Sequence, residues 1–138
     1  MVQPDRFFFP SPKIGTTDTP CLEITVHNEG RVLFLSLRGE LEAHTKDKLA
    51  AAVESGISAP HCTDIVVDMT AVSFVDSSGM GILMRTRQAL AARVGRVHLA
   101  GCDASLLRLL SVSRLSRAFP VHATLASARV AVAGLLTA

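Results

Sequence analysis

Asp76-Ser77-Ser78-Gly79-Met80-Gly81 is the stretch whose residue types could carry chemistry. An acid, two hydroxyls and two glycines follow an apolar run that contains Val72, Phe74 and Val75. One reading is helix initiation, because Asp and Ser oxygens accept from the unpaired N–H groups of a first helical turn. The other is covalent modification. A serine at a helix start lies by free backbone donors and the positive end of the helix dipole. A phosphate there adds about −1.5 to −2 charges, which a helix terminus tolerates. On residue types alone both readings stand, and helix initiation is the plainer.

Other chemistries find little support. No GxxxxGK[ST] loop is present, and Gly79-Met80-Gly81 lacks the third glycine of a dinucleotide fingerprint. His61-Cys62 is the one adjacent His/Cys pair and has no partner pair, so neither metal nor other cofactor is expected. The serines lack the first glycine of a hydrolase elbow, and no sequence signal brings His44, His98 or His122 to them. The chain is therefore not expected to be an enzyme.

The body that positions this stretch is one domain, residues 21–138, behind a leader, residues 1–20, with four prolines and Phe7, Phe8 and Phe9. The whole chain has 138 residues, 49% of them apolar, enough to close one core. Its net charge of +2 is scattered, which argues against direct nucleic-acid binding. The apolar runs are too short to span a membrane. Cys21, Cys62 and Cys102 are odd in number and widely spaced, as reduced thiols of a cytoplasmic protein would be.

Apolar periodicity places the elements. Leu22, Ile24 and Val26 alternate as a strand, Asn28-Glu29-Gly30 is a turn, and Val32 to Leu37 is a second strand. Gly39 to Thr45 is a loop, with Thr45 capping a helix that ends on a left-handed Gly56. Ile65 to Val67 is a buried strand. A helix from about Ser78 to Val94 follows, with Leu83, Thr86, Leu90 and Val94 on one face, Arg85, Arg87 and Arg93 outward, and Gly95 as its stop. Arg96 to Ala100 is a strand, Asp103 or Ser105 caps a Leu-rich helix, Phe119 to Val121 is a last strand, and Thr124 caps a helix to about Leu136. The order ββαβαβαβα predicts an α/β domain: a mostly parallel, mixed sheet of about five strands packed against about four helices.

In this order the segments LSLRGELEAHT, IVVDMTAVSFVDSSGMGIL, RVHLAGCDASLLRLLSVSRL and FPVHATLASA resemble the STAS domain of bacterial anti-sigma factor antagonists, over about residues 22–132. The resemblance implies a partner switch. The unphosphorylated protein would bind an anti-sigma factor that is also a serine kinase, freeing a sigma factor. Phosphorylation would break the complex, and a serine phosphatase would reset it. Carried over, the phosphoacceptor is Ser77, with Ser78 as the helix cap and Asp76 beside it. Glu40, Glu42, His44 and Thr45 would share a partner-binding surface with Asp76 to Gly81, that is with Ser77, Ser78, Gly79, Met80 and Gly81. The alternatives are a STAS subunit of a signalling or lipid-transport complex, or a nucleotide-binding STAS module.

Two departures stand out. Glu42 replaces the Asp common in the family. Arg114 stands at a helix end where the family usually has Gly, so either that end is rebuilt, the preferred reading, or Arg114 contacts the partner. The apolar last helix, ATLASARVAVAGLLTA, reads as a tail packed on the body in preference to a homodimer patch.

Overall fold

The computed structural model describes residues 19–137. The expected leader, including Phe7, Phe8 and Phe9, lies outside the described residues save for Thr19 and Pro20. Two strands come first, β1 (Leu22–Glu29) and β2 (Val32–Leu41), joined by a tight turn and paired antiparallel. Then α1 (Lys46–Gly56), β3 (Asp64–Val75), α2 (Ser77–Ala91), β4 (Val97–Ala100) and α3 (Ala104–Val112) alternate. A single 3-10 turn (Leu115–Arg117), β5 (Val121–His122), α4 (Leu125–Ala131) and α5 (Ala133–Leu136) complete the domain.

The five strands lie in sequence order, β1-β2-β3-β4-β5, and every pair after the first is parallel. Parallel neighbours need crossovers, and right-handed crossovers that all advance in one direction put their helices on one face. That face holds the main core. Leu33, Leu35 and Leu37 of β2, Ile65 and Val67 of β3, and Val97 and Leu99 of β4 pack on Leu49 of α1, Leu83 and Leu90 of α2, and Leu110 of α3. The alternate residues Val32, Phe34, Val66 and Ala100 point the other way, where Ala128 and Val132 cover them. The apolar last helix is thus needed to cover the second face of the sheet, which answers in favour of packing.

Several details differ from the sequence reading. β2 continues through Leu41, and β3 is one strand of 12 residues, so two segments read as loop and lead-in extend the sheet to the edge of α2. The final strand is shifted to Val121–His122, and the last helix breaks at Val132 into α4 and α5. α1 ends on Ile57 with φ −89°, not on a left-handed Gly56. After α2, the left-handed position falls to Val94 (φ 59°), which is 94% exposed and off the buried face. Gly95 is needed for approach instead, since a Cβ there would meet the Thr63 carbonyl at 1.6 Å. The end of α3 is not rebuilt: Arg114 itself takes φ 60°, ψ 20°.

Arg93 does not point outward. Its guanidinium donates to the carbonyls of Ile57 (2.7 Å), Cys62 (2.8 Å) and Ala59 (3.1 Å), clamping the loop between α1 and β3. Asp103 and Thr124 cap α3 and α4 as expected, the second through a reciprocal bond with Ser127. Cys21, Cys62 and Cys102 are all unpaired. Among the described residues no helix is long and apolar enough to cross a membrane.

Candidate functional site

At the end of β3 the chain turns through Asp76, whose extended backbone (φ −113°, ψ −175°) leads directly into α2. The Asp76 carboxylate accepts from the Gly79 N–H at 3.0 Å, and the Asp76 carbonyl accepts the Met80 N–H. Asp76 is therefore the helix cap, and Ser78 is not. β3 ends at Val75 and α2 begins at Ser77, one residue earlier than periodicity suggested, so the acid lands at the boundary and the serines fall inside the first turn. Ser77 takes the first helical position, and its exposed side chain has no hydroxyl partner among the described residues. The amides of Ser77 and Ser78 precede the first intrahelical bond, as the leading N–H groups of any helix do.

β2 and β3 end side by side, and this joins the two predicted segments. The Asp76 N–H donates to the Leu41 carbonyl at 3.2 Å. Gly79 then passes so close to β2 that a Cβ would meet the Leu41 carbonyl oxygen at 2.6 Å. Leu41 was not singled out in the sequence, where it reads as one more apolar residue. Its role as the floor beneath the helix start comes from pairing across the sheet.

The loop after β2 is held by its own side chains. The Thr45 hydroxyl donates to the Glu40 carbonyl at 2.6 Å and accepts from the Glu42 N–H at 3.0 Å. The Glu42 carboxylate accepts from the His44 N–H and stands 3.3 Å from His44 Nδ1. Only 14% of the Glu42 side chain is exposed, against 78% for His44. Glu40 is buried, and its carboxylate accepts from the Cys21 N–H at 3.0 Å. Thr45 is buried as well, and its hydroxyl serves the loop instead of capping α1.

The predicted residues therefore sort into two levels. Ser77, Gly81 and His44 are exposed, and Ser78, Asp76 and Glu42 are partly so. Glu40, Thr45, Gly79 and Met80 lie beneath, with Met80 in the main core. Gly81 is notable because nothing lies within 4 Å of where its Cβ would be. A glycine in an exposed helix interior costs about 1 kcal/mol relative to alanine. No neighbour within the described residues requires it. Ser77, Gly81 and Arg85 follow at intervals of four and form one outward stripe on α2.

On the opposite face lies a polar cluster that periodicity did not suggest. His98 Nε2 and Asp64 Oδ2 are 2.9 Å apart, and His98 Nδ1 and His122 Nε2 are 3.2 Å apart. Burial raises the Asp64 carboxyl, but bonds from His98 and Thr63 outweigh it and leave its pKa lowered. Burial lowers the pKa of His122, and His98 lowers it further. Burial likewise pushes the Cys102 thiol up to about 11, which keeps it protonated.

Comparison with known proteins places the chain in a family. The STAS domain family matches residues 23–128. An anti-sigma F factor antagonist from Paenibacillus polymyxa is 28% identical over 101 residues, spanning 73% of this chain and 86% of that one. A solved anti-sigma factor antagonist from Mycobacterium paratuberculosis is 26% identical, with a TM-score of 0.73 over 82% of this chain and 95% of its own. The Bacillus cell fate determinant SpoIIAA, solved in its phosphorylated form, has a TM-score of 0.66 at 24% identity, covering 80% of this chain and 99% of its own.

Proposed function

Since the chain belongs to the STAS domain family, we propose that it is an anti-sigma factor antagonist switched by phosphorylation of Ser77. In the unphosphorylated state it binds an anti-sigma factor with serine kinase activity in the cytoplasm and so releases a sigma factor. A serine phosphatase restores the binding form. The partner-facing surface is made by Ser77, Ser78, Gly81, His44 and Glu42, with Asp76 at its edge. Glu40, Thr45, Gly79 and Met80 support that surface from below.

The observation that carries this reading is the exposed Ser77 hydroxyl at the first position of a helix capped by a different residue. Because Asp76 does the capping, Ser77 is free of a structural duty. A phosphate on it would meet the free amides of the first turn and the positive helix end, worth about 0.3–1 kcal/mol at a surface. The bare backbone at Gly81, one turn along the same stripe, is the second support, since it leaves room for a close approach by a partner.

The same phosphate within a complex has the opposite effect. A dianion beside the Asp76 carboxylate, stripped of water and without a cation, is strongly unfavourable. The switch thus works through the interface and leaves the fold intact.

The test is a mixture of this protein, ATP and the anti-sigma kinases of the same cell, read by mass spectrometry. Phosphate on the peptide containing Ser77, absent in Ser77→Ala, is the expected result. Phosphate elsewhere, or on Ser78 alone, contradicts the assignment. Failure of every such kinase to modify or bind the chain contradicts the function.

A further inference from the structure

A second site lies at the far end of α2. Arg87, Arg96 and Arg117 line a hollow of about 450 Å³, floored in part by Ala91, Ala118 and Pro120. Arg87 is ten residues beyond Ser77, about 15 Å along the helix axis at the usual rise. No acidic side chain lines the hollow. None of the three arginines belongs to an ion pair among the described residues. Arg87 donates its Nε–H to the Ala118 carbonyl at 2.8 Å, which fixes the guanidinium and leaves its remaining donors for another acceptor.

The concentration of charge is unexpected in a chain of net charge +2. Three exposed guanidinium groups around one hollow with no acid among its lining make a positive patch that attracts an anion. A second feature adjoins. Arg117 also lines a neighbouring hollow with Ser111, Ser116 and Arg114. Arg114 sits there with φ 60°, a conformation that costs a non-glycine residue about 1–2 kcal/mol. Backbone strain of this sort is often kept at binding sites.

We propose that this hollow binds a small phosphorylated compound, its phosphate held by Arg87, Arg96 and Arg117. Guanidinium forks match phosphate oxygens two by two, which suits them to this ligand class better than to a simple halide. A volume of about 450 Å³ falls within the usual range of small-molecule sites and exceeds what a bare ion needs. The alanines and Pro120 give the organic portion an apolar surface. The site is separate from Ser77 and does not depend on how that serine is used.

Calorimetric titration of the full chain with pyrophosphate and with ribose 5-phosphate tests this at low ionic strength. Saturable binding of both is expected, weakening steeply with added salt. The double variant Arg96→Gln, Arg117→Gln should bind about tenfold more weakly or worse. These two are the right choice because both side chains are exposed and neither makes a hydrogen bond or ion pair among the described residues. Arg117→Gln alone serves if the pair impairs folding, as judged by circular dichroism. Arg85→Gln, elsewhere on α2, and Ser77→Ala should bind as the parent does. Absence of binding by either probe, equal binding by the double variant, or equal loss in Arg85→Gln would overturn the proposal.

Discussion

Replacing Ser77 by aspartate imposes a permanent negative charge at the first position of α2 and separates the two effects that the proposed switch requires. Within the free protein, the helix dipole favours the new carboxylate by about 0.3–1 kcal/mol. Asp76 opposes it. Two unit charges about 6 Å apart in a water-like medium repel by about 0.7 kcal/mol. The opposing effects nearly cancel, so stability should change by less than about 1 kcal/mol, or roughly 5 °C in melting temperature for a domain of this size. In the complex the balance differs, because an uncompensated buried charge costs about 3–5 kcal/mol, or roughly 10²–10³ in affinity. Ser77→Asn is the matched control. It has the same shape as the aspartate but no charge, and should keep much of the affinity. Far-UV circular dichroism is the practical melting probe, since the chain has no Trp or Tyr. Calorimetry with the anti-sigma factor reads the binding. A melting temperature lowered by more than about 10 °C, or equal binding by the Asp and Asn variants, would refute the reasoning.

Other expectations follow from the same geometry. Gly81→Ala should raise unfolding stability by up to about 1 kcal/mol in urea melts, because the added methyl meets open space, and should weaken partner binding. A stabilised variant with parental affinity would remove Gly81 from the surface. Arg93→Met keeps the aliphatic stem but loses three bonds to carbonyls, and should destabilise by about 2–4 kcal/mol in the same melts. Stability should also fall as pH drops through about 6.5. His122 has a lowered pKa in the folded state, so the unfolded chain takes up a proton first, and its contribution is present above the ordinary His value and is lost below it. A second loss follows on approach to pH 3.8 and below, where unfolded Asp64 becomes protonated before the folded one. Chemical denaturation from pH 8 to pH 5 should lose its slope near pH 6 in His122→Gln if this assignment is right.

How far the site was legible depends on whether each feature is local. Alternation at β1 and β2, the helical stripe of α2 and the turn at Gly30 are written in neighbouring residues, and they set the element order without reference to anything distant. The caps Asp103 and Thr124 are local in the same sense, because a cap needs only the backbone three residues on. The cap of α2 was missed by two residues because it depends on where β3 stops. That point is set by pairing with β2, whose Leu41 carbonyl receives the Asp76 amide.

Ser77 and its neighbours were singled out from the DSSGMG segment, whose residue types already say helix start. Which of them face outward was not evident there. Glu40 reads as a surface acid in a polar loop, but the carboxylate turns inward to hold Cys21. Arg93 reads as a solvated charge, but it reaches three carbonyls on a loop more than thirty positions earlier. Arg87, Arg96 and Arg117 look scattered along the chain, and only the return of the segment before β5 beside α2 gathers them around one hollow. By itself, then, the sequence determined the elements, their order and a serine placed at a helix start, because propensity, capping and periodicity act over a few residues. The tertiary structure alone decided which residue caps that helix, which side chains remain in water and where charge collects. Those outcomes depend on contacts between segments far apart in the chain, and no local pattern encodes the distance between them.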